Sequence, residues 1–124
     1  MSRDDAYLLD VLTAARKVLL YSEALTWERF RDEGIMQDAI IRNLQIIGEA
    51  AQRISKDLKD GHPELPWAPM AGMRNRLVHE YFRVDLERVW QTIQDDMPAL
   101  VKLIEPLIPP PPDEERSEGV ESSS

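Results

Sequence analysis

Eight consecutive residues, Arg74-Asn75-Arg76-Leu77-Val78-His79-Glu80-Tyr81, bring together two guanidinium groups, a carboxamide, an imidazole and a phenol. Only the imidazole changes charge near neutral pH, its ordinary pKa being about 6.5, so His79 can accept a proton from a hydroxyl or give one to a leaving oxygen. An arginine remains charged and can stabilise the charge that develops on a phosphate. These groups suit phosphodiester transfer. RNA is the fitting substrate, because its ribose 2′-hydroxyl supplies the nucleophile that DNA lacks. The competing reading is ordinary helix, with a buried histidine and tyrosine and arginines at the surface.

Helical geometry constrains the cluster. At about 100° per residue, Arg74 and Tyr81 lie nearly on one line, Asn75 and His79 lie on another, and Arg76 is closer to the second. Arg74 and His79 then diverge by about 140°. One straight helix does not readily aim both at one phosphate. Either the helix loosens around His79–Tyr81, or a second copy of the segment faces the first across a twofold axis; the second alternative is favoured.

Other chemistries fail on composition. The chain has no cysteine, which excludes disulfides, thiolate zinc sites, iron–sulfur clusters and a cysteine nucleophile, and fits a reducing cytosol. His62, between Gly61 and Pro63, reads as a solvated turn residue, and Asp95-Asp96 as a solvated pair, so neither a metal nor a cofactor is expected. The five glycines (34, 48, 61, 72 and 119) are too dispersed for a phosphate loop. Gly48 and Gly72 read instead as points of close helix packing. Trp27, Trp67 and Trp90 are spaced as core or interface anchors, and Arg42 and Asn43 as a solvated face.

The elements that must position the cluster are helices. Ser2-x-x-Asp5 forms a capping box ahead of Tyr7, Leu8, Val11, Leu12, Ala15, Val18 and Leu19, which predicts a helix over about 3–23. Thr26 caps a short helical turn carrying Trp27 and Phe30. The strongest periodicity runs through Ile40, Leu44, Ile47, Ala51, Ile54 and Leu58, predicting a long helix over about 35–59 that ends before Gly61. Ile41, Ile46 and Ala50 widen its apolar stripe beyond what one neighbour covers. After the proline-rich HPELPWAP, helix restarts near Trp67 and runs to about Tyr81. Asp85 caps a last helix with Leu86, Val89, Trp90, Ile93, Met97, Leu100, Val101 and Ile104, kinked at Pro98. Nothing alternates with period two, so the fold class is all-α, a bundle of four or five helices.

At 124 residues this is one domain, assigned to 1–108 and followed by a Pro-rich acidic tail over 109–124 with too few apolar residues to order. Net charge is −8, and half of the imbalance lies in that tail. Such a balance argues against coating nucleic acid through bulk electrostatics, so any RNA contact must be local, and Arg76 and Arg83 are its candidates. No apolar run approaches a membrane span and the N-terminus lacks a secretory pattern, so a cytoplasmic protein is expected.

Arg74-x4-His79-x-Tyr81 resembles the arginine–histidine–tyrosine motif of the HEPN ribonucleases. The stretches QDAIIRNLQIIGEAAQRIS (37–55), HPELPW (62–67), AGMRNRLVHEYFRVD (71–85) and LERVWQTIQDDMPAL (86–100) are similar to its HepT toxin branch, the likeness covering about residues 5–107. The resemblance implies a HEPN-type helical bundle, homodimeric, acting as a metal-independent endoribonuclease with the motif at the dimer cleft. It further implies a partner, an MNT-type minimal nucleotidyltransferase antitoxin. By the same likeness Arg74 contacts phosphate, His79 transfers protons, Asn75 polarises or orients, and Tyr81 is where such a partner attaches AMP. The tail is no part of the family pattern. The alternatives are a catalytically silent helical dimer that binds a nucleotidyltransferase or nucleotide, and a bare structural bundle.

Overall fold

The computed structural model describes residues 2–79 and 84–109, with Val78 and His79 described as backbone only. It is all-helical, with no strand among the described residues: α1 (Arg3–Ser22), α2 (Trp27–Asp32), α3 (Gly34–Arg53), α4 (Lys56–Gly61), α5 (Trp67–His79), α6 (Leu86–Asp95) and α7 (Met97–Ile104), then a 3₁₀ turn, Glu105–Leu107. None of these helices is long and apolar enough to cross a membrane. Of the tail expected over 109–124, residues 110–124 lie outside the described residues.

The helix starts follow the side chains that cap them. Ser2 Oγ accepts from the Asp5 N–H at 3.1 Å while Asp5 returns the bond to the Ser2 N–H, completing the capping box. Thr26 caps α2 and Asp85 caps α6 in the same manner, each through its side-chain oxygen. These oxygens satisfy amide donors that the first turn of any helix leaves without a carbonyl.

Two of the five helical segments legible in the sequence are each cut in two. The long helix expected over 35–59 ends at Arg53, where Ile54 turns extended (φ −67°, ψ 141°), and α4 begins anew behind Ser55. The break has a tertiary cause. Asp4, in the first turn of α1, accepts from the Ser55 N–H at 2.9 Å and from the Ser55 hydroxyl, so that amide is withdrawn from the helical ladder without loss. Ser55 Oγ in turn accepts from the Leu58 N–H and starts the new helix. The last helix is divided at Asp96, with Pro98 in the first turn of α7. A proline has no N–H to donate and tolerates only a helix's first turn, so the expected kink becomes a break.

The core lies around α3, which packs between α1 and α5. Leu8, Val11, Leu12, Ala15 and Val18 of α1 meet Ile40, Leu44, Ile47 and Ala51 of α3, all buried. Met97, Leu100 and Ile104 close the far side through α7, which also packs on α1. Removing side chains of this size from water supplies roughly 1.5–3 kcal/mol each. Phe30 is fully buried beneath Trp90, ring centroids 5.3 Å apart, with Trp27 tilted against it at 6.3 Å. The tryptophans are thus core anchors. Of the second apolar line on α3, Ala50 is buried whereas Ile41 and Ile46 are only half-buried.

Candidate active site

α5 carries the cluster, and its position is set by one residue of α3. Gly48 is buried where the two helices cross. A Cβ placed there would stand 2.1 Å from the Arg74 Cβ and 2.9 Å from the Met70 carbonyl oxygen. No side chain can occupy that space, so the missing Cβ lets α5 lie directly on α3 with Arg74 at the point of contact. Gly72, read from the sequence as a second such point, has nothing within 4 Å of its would-be Cβ and makes no close approach. It is exposed, two residues from both Met70 and Arg74 and so on the face of α5 opposite the crossing.

The crossing governs the arginine. Its stem is pressed against α3, and its Nε is buried with no hydrogen-bond partner among the described residues. The outer end of the guanidinium is engaged, Nη1 donating to Asn75 Oδ1 at 3.2 Å. That bond bears on the angular problem posed by the sequence. It draws the charged head from the line of Arg74 toward the line of Asn75, and position 79 is one turn further along that second line. α5 runs unbroken to His79, so the helix does not loosen before that residue.

A residue that the sequence did not mark joins this arrangement. Gln52 of α3 donates from Nε2 to the same Asn75 Oδ1 at 3.2 Å. The signal available was its place one turn after Gly48, on the face that meets α5. Arg76 is exposed and stands, with Arg88, on the rim of a small cleft of about 40 Å³ bounded by Met73, Leu77, Val84 and Val89. The His79 side chain is not described, and Glu80, Tyr81 and Arg83 lie outside the described residues.

His62 lies in the turn before α5 with Nδ1 3.0 Å from a Glu64 carboxylate oxygen, and its carbonyl accepts from the Trp67 indole N–H at 2.9 Å. Arg42 is exposed and 3.7 Å from Glu49. Asn43 is the exception to the solvated face: it is buried, and its amide donates to the Ala39 carbonyl one turn back.

The chain is all-α, and where α5 crosses the central helix it carries an arginine hydrogen-bonded to an asparagine, with a histidine further along the same helix. The chain belongs to the HepT-like ribonuclease family, whose profile matches residues 11–107. It is 41% identical over 101 residues to a Thermococcus cleftensis protein that carries the name ribonuclease HepT, a match spanning 82% of this chain and 92% of that one. A Methanocaldococcus jannaschii protein designated an RNase is 36% identical over 107 residues, 85% of this chain and 98% of its own length. A Caldanaerobacter subterraneus protein with the same designation is 32% identical over 102 residues, 82% of this chain and 91% of that relative. No solved structure matches the chain.

Proposed function

We propose that this ribonuclease-family chain is the toxin of a toxin–antitoxin pair, a metal-independent endoribonuclease in which the substrate's own 2′-hydroxyl attacks the adjacent phosphorus. The 2′ oxygen forms the new bond to phosphorus, the bond to the 5′ oxygen breaks, and the ends left are a 2′,3′-cyclic phosphate and a 5′-hydroxyl. His79 as neutral imidazole takes the 2′-hydroxyl proton, or as imidazolium supplies one to the leaving 5′ oxygen. Arg74 offsets the charge gathering on the phosphate oxygens, and Asn75 orients the group. Arg76 and Arg83 hold the RNA strand. The observation that carries the reading is the Arg74 head bound to Asn75, one turn before position 79 on the same line of α5.

Two copies are proposed to form the working unit, with the motif at their cleft. Neutralisation is assigned to an MNT-type nucleotidyltransferase that places AMP on Tyr81, the phenol oxygen bonding to the α-phosphorus of ATP and pyrophosphate leaving. The added phosphate would repel RNA and pair with Arg74 or Arg76. A second reading, a catalytically silent dimer that binds the nucleotidyltransferase, draws on the net charge of −8, which is unfavourable for RNA. Expression of the chain alone separates the two. Growth arrest that His79→Ala relieves, together with cyclic phosphate ends made in EDTA by the purified chain, is the expected result, and growth unaffected by the wild-type chain would favour the silent dimer.

A further inference from the structure

Asn75 Oδ1 accepts two hydrogen bonds, from Arg74 Nη1 and from Gln52 Nε2, each at 3.2 Å. A carboxamide oxygen has two lone pairs, so both are used. Gln52 Nε2 also reaches the Ala71 carbonyl at 3.5 Å, which steadies the donor against α5. The consequence falls on the other end of the Asn75 amide. Reversing that amide would set its N–H₂ against two donors, so the oxygen is held inward and Nδ2 is turned outward. Nδ2 has no hydrogen bond among the described residues, and Asn75 is exposed.

We infer that Gln52 is a positioning residue for RNA cleavage: by donating to Asn75 Oδ1 it fixes the amide so that Nδ2 offers N–H donors to a phosphate oxygen of the RNA. The role rests on the ribonuclease reading above. It explains why an exposed polar residue of a neighbouring helix makes a specific contact with the motif. Gln52 touches no substrate itself and acts only through Asn75.

A double-mutant cycle tests this, with kcat and KM for an RNA oligonucleotide measured on the full chain and on Gln52→Ala, Asn75→Ala and the pair. Gln52→Ala is expected to lower kcat about three- to tenfold, the range of one neutral hydrogen bond, with KM little changed. In the Asn75→Ala background it should cost nothing further. Gln52→Glu keeps the shape and stem of the side chain but presents an acceptor, and it should lose at least as much as Gln52→Ala at neutral pH. Equal losses with and without Asn75, or Gln52→Glu behaving as wild type, would overturn the positioning role while leaving the ribonuclease reading intact. Failure of the wild-type chain to cleave RNA would overturn the ribonuclease reading, and this role with it.

Discussion

The Arg74 guanidinium donates to Asn75 Oδ1 at 3.2 Å, and that one bond moves the charged head along α5. Spacing alone set Arg74 and His79 far apart around α5, yet a long arginine side chain does not stay above its own Cα, and Asn75 gives it somewhere to go. The next residue is therefore as informative as the motif. Arg74→Ala should lower kcat on the order of a hundredfold, the scale of losing one group that stabilises transition-state charge. Arg74→Lys should recover little of it, since an ammonium cannot reproduce a planar head shared between Asn75 and a phosphate. Steady-state cleavage assays on variants with wild-type circular dichroism check both; a fully active Arg74→Lys would mean that charge alone suffices. Residue types and spacing marked Arg74, Asn75 and His79 in the sequence, and of these the structure brings Arg74 and Asn75 into contact. Gln52 was not marked, because its role arises from a pairing of helices 23 residues apart in sequence.

Among the elements, starts with a local cap and the break at Pro98 were readable, whereas the break made by a residue distant in sequence was not, and the difference is physical. Caps at Ser2, Thr26 and Asp85 are local, made within three residues of the amides they serve. The break at Ile54–Ser55 is made by Asp4, 51 residues away, and apolar spacing continues through it without a sign. That contact holds the Asp4 carboxyl below its ordinary value of 3.8, chiefly through the Ser55 hydroxyl bond and then its N–H. A depressed folded pKa gives stability that is present above the unfolded value and is lost as pH falls through the folded one. Asp4→Ala should therefore melt below wild type at pH 7, and the gap should close as pH drops below about 4; a gap constant with pH would assign the effect to something other than the carboxylate. Gly48 supports a second prediction. Alanine there gains about 1 kcal/mol of helix propensity, but a Cβ 2.1 Å from the Arg74 Cβ forces the helices apart, an overpacking cost of about 1–3 kcal/mol. Gly48→Ala should lower Tm by a few degrees and reduce cleavage with it, because the same shift separates Gln52 from Asn75. Gly72→Ala, with open space around it, should leave cleavage unchanged.

For the whole molecule the question is whether one chain completes a site. The Asn75 bond narrows the divergence between the arginine head and the line of position 79, so geometry alone no longer requires a second copy. The apolar surface still leaves room for one: Ile41 and Ile46 are half-buried on the broad stripe of α3, and Leu20 and Ile35 are 65% and 85% exposed. A homodimer with sites shared across a twofold axis and a homodimer with two self-contained sites differ in a measurable way. Arg74→Ala and His79→Ala chains should each be inactive alone. If each site takes its arginine from one copy and its histidine from the other, unfolding and refolding an equal mixture generates heterodimers in which one of the two sites is whole. Random pairing makes half of the dimers mixed, so about a quarter of wild-type activity should return. If each protomer supplies its own pair, every site in the mixture lacks one group and no activity returns. Sedimentation of the full chain at micromolar concentration fixes the starting point: a dimer is expected, and a monomer that cleaves RNA would place the whole site within one chain.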